Sequence, residues 1–200
     1  MPKNISGVIL AGGRAQRMGV QDKGLVEFKG KPLVAYAIAA MQPIVGELLI
    51  SANRNLERYR QWGLPVITDQ DSVSAGPLAG ILAALAKINA EVLVVMPCDT
   101  PLVTTAYLQK LVAQLNVQQA DIAVAFDGER LHPVLMAIKT ELRPSLQAYL
   151  QAEQRKVEGW LNQHRAVRVD FQDQRSALAN INTLAELSAL EQQTSPVFKR

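Results

Sequence analysis

Two hundred residues, 48% of them hydrophobic, are enough to bury one core of ordinary density and predict a single domain. The lone cysteine, Cys98, excludes an intrachain disulfide and a thiolate metal cluster, and fits a reducing, cytoplasmic setting. The net charge of +3 is uneven, because Lys3, Arg14, Arg17, Lys23, Lys29 and Lys31 stand against only Asp22 and Glu27 in the first 31 residues. Such a concentration favours a local anionic ligand over a nucleic-acid stripe, which needs basic residues spread along a face.

In chain order, the first apolar run, Val8 to Ala11, is too brief for a signal peptide or a membrane span, and so are Ile81–Ala86 and Val92–Met96. No membrane anchor is expected. Strands are predicted at Gly7–Leu10, Glu47–Ser51, Val66–Ile67, Val92–Met96 and Ile122–Phe126. Between them Leu33, Tyr36, Ala37 and Ala40 repeat at i, i+3, i+4, i+7, as do Leu78, Ile81, Leu82 and Leu85, and Leu108, Leu111, Val112 and Leu115. Pro32 and Pro77 sit where a helix takes proline at its first position. Alternating strands and helices predict an α/β layered domain with a mostly parallel twisted sheet. The stretch from Phe126 to Phe171 departs from the alternation, with a polar turn at Asp127–Arg130, a strand near Val134–Ala137 and helical sequence from Lys139. It reads either as a substrate-specific insertion or as an antiparallel edge strand without a ligand role. One domain over 1–193 is expected, with residues 194–200 frayed.

The first strand runs into Leu10-Ala11-Gly12-Gly13-Arg14-Ala15-Gln16-Arg17-Met18-Gly19, followed by Asp22-Lys23. Ligands bind beyond the carboxyl ends of parallel strands. Paired glycines let backbone N–H groups approach a phosphate chain, which Arg14, Arg17 and Lys23 can neutralise. The spacing fits neither GxGxxG nor GxxxxGK[ST], arguing against a dehydrogenase or a P-loop enzyme. Asp99, in Met96-Pro97-Cys98-Asp99-Thr100-Pro101, is placed to hold Mg²⁺ or to cap a helix starting near Thr104. Cys98 reads as a small buried hydrophobe. Gly76-Pro77-Leu78-Ala79-Gly80 can offer free helix N–H groups and small side chains to a purine, or simply start the helix. Asp69 either accepts from the N1–H and N2–H₂ of guanine or opens a turn.

The glycine string with its following lysine resembles the signature of the pyrophosphorylase-like nucleotidyltransferases, in which it holds a triphosphate; those roles fall on Leu10 to Gly13, Arg17 and Lys23. With Asp69, GPLAG and CDTP in this order, the chain resembles the molybdenum cofactor guanylyltransferase family over nearly its whole length. Ser51-Ala52-Asn53-Arg54, Asp127 to Arg130, His132-Pro133 and Asn180-Ile181-Asn182-Thr183 share in the resemblance. One departure is Ser51, where the family usually has asparagine. The resemblance implies a Rossmann-like three-layer fold, GTP and Mg²⁺, and transfer of GMP to the terminal phosphate of molybdopterin. It also implies nucleotide contacts at Ser51, Asn53 and Asp69, a metal at Asp99, and contact with other cofactor-synthesis or acceptor proteins.

An acceptor phosphate is already an anion, so transfer needs positioning and charge neutralisation rather than a general base. His132 accordingly reads as a structural or acceptor-side hydrogen-bonding residue. Arg155, Lys156, Asn180 and Asn182 are the acceptor-binding candidates, although either asparagine could instead cap the helix after Thr183. A CTP-dependent or sugar- or polyol-phosphate nucleotidyltransferase shares the glycine loop and Asp99, but GPLAG and the asparagine pair argue against both. A non-catalytic nucleotide sensor has no need to keep Arg17, Lys23 and Asp99 together.

Overall fold

The computed structural model describes residues 4–12, 14–15, 21–69 and 76–193. The strands are β1 (Ile5–Leu10), β2 (Arg14–Ala15), β3 (Gln21–Asp22), β4 (Glu27–Phe28), β5 (Lys31–Pro32), β6 (Glu47–Ser51), β7 (Val66–Ile67), β8 (Val92–Pro97), β9 (Ile122–Phe126), β10 (Leu131–Lys139) and β11 (Ala166–Asp170). The helices are α1 (Leu33–Met41), α2 (Leu56–Arg60), α3 (Gly76–Leu85), α4 (Thr105–Val117), α5 (Arg143–Gln151), α6 (Val157–Leu161) and α7 (Leu184–Gln193). Short 3₁₀ segments cover Lys23–Leu25, Thr140–Leu142 and Gln172–Leu178. The expected frayed tail, 194–200, lies outside the described residues.

Seven strands form one sheet in the order β11-β9-β10-β8-β1-β6-β7. β1 pairs in parallel with β6 and β8, β6 with β7, and β11 with β9, whereas β10 runs antiparallel to both its neighbours. The antiparallel strand expected near Val134–Ala137 is therefore present but does not lie at an edge. Ala166–Asp170 pairs with Ile122–Phe126 and closes the sheet beyond it. That short strand was invisible to the sequence patterning because its burial is patchy, with only Val169 fully enclosed.

The central strands are apolar on both faces because helices cover both. Val8, Leu49, Leu93 and Val95 face α3, α5 and α6 in one cluster, and Ile9, Ile50, Val94 and Met96 face α1 and α4 in another. This gives the three-layer α/β architecture, with the helical repeats read from the sequence burying those two sides. A smaller cluster of Val26, Phe28, Leu33, Ile181, Leu187 and Leu190 docks α7 against the β4–β5 hairpin. Docking α7 there brings the segment before it across the carboxyl end of the sheet, where the site lies. Among the described residues, no helix is long and apolar enough to cross a membrane.

Candidate active site

Asp99 stands just past β8, the strand whose six residues are all buried. Its carboxylate pairs with the Lys23 ammonium, and Asn180 Nδ2 donates to the same oxygen, Oδ2, at 3.2 Å. Lys23 also donates to Asn182 Oδ1 at 2.7 Å. Four residues from three distant parts of the sequence thus meet at one point. The other carboxylate oxygen, Asp99 Oδ1, is buried and accepts no hydrogen bond from the described residues.

The capping alternatives for these groups are taken up by other residues. Thr104, not Asp99, is the N-cap residue of α4. Before α7, Glu186 N donates to Thr183 Oγ1 at 3.1 Å, while Glu186 Oε2 accepts from Thr183 N and Asn182 N, a capping box that leaves both asparagine side chains available. The backbone also binds this segment to the site, because Ile181 N donates to the Asp99 carbonyl at 2.9 Å.

Lys23 is presented by a buried scaffold that sequence reasoning missed. The Tyr59 hydroxyl donates to Asp22 Oδ1 at 2.5 Å, and Asn55 Nδ2 donates to Asp22 Oδ2 at 3.1 Å. Tyr59 is fully enclosed; burial first, then the bond to Asp22, pushes its hydroxyl pKa far above the ordinary phenol value. Gly24 packs so closely on the Tyr59 hydroxyl that any Cβ there would collide with it. A tyrosine at the end of a five-residue helix carries no sequence signal for this task. Arg54 Nη2, also buried, has no hydrogen-bond partner among the described residues. Burial raises the Cys98 thiol well above its usual range, which agrees with an inert packing role.

On one side of this centre lie the ends of β6 and β7. Asn53 and Asp69 face each other there: Asn53 Nδ2 donates to Asp69 Oδ1 at 2.6 Å, and Asp69 N donates to Asn53 Oδ1 at 3.2 Å. Ser51 is buried beneath α3, where a Cβ on Gly80 would come within 2.6 Å of its Oγ and 3.1 Å of Leu10 Cδ2. Gly80 thereby lets the helix approach the strands. Leu78 is fully enclosed and Ala79 nearly so, while exposed Gly76, with φ of +63°, and half-buried Pro77 form the start of the helix. Ala11 is buried and donates its N–H to the Ser51 carbonyl at 2.8 Å, whereas the backbone at Gly12 faces open space. Arg14 and Asp22 are opposite one another in the backbone register of the β2–β3 ribbon. Gly13 and Arg17 lie outside the described residues.

On the other side, the beginning of β10 and the segment Ala179–Gln193 wall a cleft of ≈ 550 Å³ that Asn180 and Asn182 line directly. The turn before β10 is built around Asp127, which accepts from Arg130 N at 2.8 Å, Glu129 N at 3.0 Å and His132 Nε2 at 2.8 Å. Burial alone would raise the Asp127 pKa, but these bonds outweigh it and hold the carboxyl well below the usual range. His132 is thus committed to a carboxylate and nearly buried, in keeping with its reading as a structural or hydrogen-bonding residue rather than a base.

Arg155 and Lys156 do not join Asn180 and Asn182. Arg155 lines a second cleft of ≈ 630 Å³ between α3 and α5, with Asp69, Lys87 and Arg143, and its guanidinium donates to the Leu150 and Gln154 carbonyls. Lys156 is exposed at the N-cap position of α6. Among the described residues there is no group of three His, Cys, Asp or Glu side chains able to enclose a metal ion, so a cation here would depend on Asp99 together with ligand oxygens.

The family described as the MobA-like NTP transferase domain matches residues 7–169. A protein of Shewanella halifaxensis named molybdenum cofactor guanylyltransferase is 46% identical over 183 residues, 92% of either chain. The protein of the same name from Shewanella amazonensis is 46% identical over 190 residues, 95% of this chain and 97% of that one. Among solved structures, molybdopterin-guanine dinucleotide biosynthesis protein A from Archaeoglobus fulgidus superimposes with a TM-score of 0.78 at 22% identity, covering 94% of this chain and 97% of the other. A 4-diphosphocytidyl-2C-methyl-D-erythritol synthase from Anaerococcus prevotii shares the fold at a TM-score of 0.72 and 11% identity, covering 96% of each chain. With a family match over most of its length and relatives this similar end to end, the chain belongs to the MobA-like NTP transferase family and is an enzyme, a nucleotidyltransferase.

Proposed function

We propose that this enzyme moves GMP from GTP to the terminal phosphate of molybdopterin, releasing pyrophosphate, with the Lys23–Asp99–Asn180–Asn182 cluster at the point of transfer. The observation that supports this most directly is the cluster itself: a cation and a carboxylate at the carboxyl end of the central strands, held by two amides. The names of the relatives supply the nucleotide and the acceptor.

The roles follow from the groups present. Backbone at Leu10–Gly12, continued by Gly13, takes the phosphate chain, and Lys23, Arg14 and Arg17 neutralise it. Asp69 takes the guanine edge, with Asn53 fixing its orientation. Gly76 and Pro77 offer a helix start to the base, while Ser51, Leu78, Ala79 and Gly80 shape the wall behind it. Asp99 is the Mg²⁺ ligand: its buried Oδ1, which has no hydrogen-bond partner among the described residues, suits a hard cation that prefers oxygen. When bound, Mg²⁺ would neutralise charge on the phosphate oxygens. Lys23 now sits on Asp99, and an arriving triphosphate competes for its ammonium. The acceptor phosphate, already an anion, attacks the α-phosphorus as the bond to pyrophosphate breaks, so the protein removes no proton. We place the reaction in the cytoplasm, on the single buried cysteine.

Incubation with GTP labelled at the α-phosphate, molybdopterin and a Mg²⁺ series tests this reading. Labelled molybdopterin guanine dinucleotide, pyrophosphate in equal amount and dependence on Mg²⁺ are expected. Preference for CTP, or transfer only to a sugar phosphate, would overturn it.

A further inference from the structure

We propose that Arg130 is the cation that receives the acceptor's phosphate in the β10 cleft, a specificity role that rests on the transfer reaction proposed above. The reaction sets two anions against each other, and an acceptor phosphate approaching a triphosphate needs a positive partner of its own. Lys23 is committed to Asp99 and Asn182. In the cleft that Asn180 and Asn182 open onto, the charged or ionisable side chains are Arg130, His132 and Glu186. His132 is nearly buried against Asp127, and Glu186 Oε2 is occupied by the capping box. Arg130 is different: its side chain is 67% exposed, and among the described residues its one ion pair at contact distance is with Asp127, at 3.4 Å from Nε, with Glu129 acting on it only at longer range. The outer N–H groups of the guanidinium remain for a ligand, in the forked geometry that matches a phosphate monoester.

Arg130 is carried on a hydrogen-bonded turn. Asp127 binds the backbone of Glu129 and Arg130 and the ring of His132, and Gly128, at φ of +92°, makes the turn where a Cβ would meet Gln172 at 2.9 Å. Glu129 forms a two-pronged ion pair with Arg175, in the 3₁₀ segment that leads to Asn180. That pair links the turn bearing Arg130 to the segment that leads to both asparagines.

Steady-state kinetics with GTP and molybdopterin varied in turn, on Arg130→Met and Arg130→Lys, tests the assignment. Loss of charge-assisted hydrogen bonds should raise KM for molybdopterin about 10- to 100-fold in Arg130→Met. KM for GTP and the melting shift produced by GTP should stay as in wild type, and Arg130→Lys should recover part of the loss. Unchanged acceptor KM in Arg130→Met, or an equal rise in KM for GTP, would overturn the role of Arg130 while leaving GMP transfer intact. Absence of transfer by the wild-type enzyme would instead count against the proposed reaction itself.

Discussion

The two sides of the sheet edge around Asp99 are built on different principles. Toward β6 and β7, parallel strands end side by side and present Asn53 and Asp69 through short side chains bonded to each other. Toward β10, an antiparallel strand enters the edge from a turn, and the site is completed by a segment about fifty residues further on, clamped by Glu129–Arg175 and by Ile181 N to the Asp99 carbonyl. The first side is built at the ends of neighbouring parallel strands. The second is assembled from remote chain segments, so its fit depends on contacts between them.

The largest effect is expected at the centre, which both sides share. Asp99→Asn keeps the shape but loses the attraction for a dication, and turnover should fall about 10²–10³-fold, as for loss of one preorganised electrostatic group. Turnover measured against Mg²⁺ concentration checks this; normal activity with unchanged metal dependence would leave Asp99 a structural residue. Next, Asp69→Ala removes a charged acceptor from the β7 side, costing about 1.5–3 kcal/mol of guanine recognition. Melting shifts with GTP, CTP, ATP and UTP should then draw together.

A smaller loss is expected beneath Lys23. Tyr59→Phe keeps the ring but leaves buried Asp22 Oδ1 without its donor, a cost of about 1–3 kcal/mol in stability. Urea unfolding measures it, and an unchanged midpoint would show that Asn55 alone supports Asp22. The mildest test concerns the β10 turn. Because folding lowers the Asp127 pKa, its contribution is fully present above the ordinary carboxylate pKa of about 3.9 and is lost as pH falls through the lower folded value. The groups facing it are His132 and Arg130, with the Glu129–Arg175 pair beyond. The difference in melting temperature between wild type and Asp127→Asn should therefore hold steady from pH 6 to about 5 and shrink as pH is lowered further to about 3.

Much of this was legible from local pattern. The strands Glu47–Ser51, Val66–Ile67 and Ile122–Phe126 match their predicted bounds, because each carries a short, mostly buried apolar run. Lys23, Asp99 and the asparagine pair, named separately along the sequence, meet in space. Arg155 and Lys156 do not join them, because a basic pair in a loop carries no information about which face its loop occupies. The tie of Tyr59 and Asn55 to Asp22 escaped notice since it is a long-range hydrogen-bond network, and Arg130 was seen only as part of a polar turn. The interior position of β10 depends on β11, whose burial pattern is too weak to announce a strand.

The division of the edge into a nucleotide side and an acceptor side is tested most directly by crossing one variant from each. KM for GTP and for molybdopterin would be measured in Asp69→Ala, Arg130→Met and the double variant. Asp69→Ala should raise only the KM for GTP, Arg130→Met only the KM for molybdopterin, and the double variant should show both changes independently, as expected of separate sites. If either single variant raised both constants alike, the two sides would be one site and the division would be wrong.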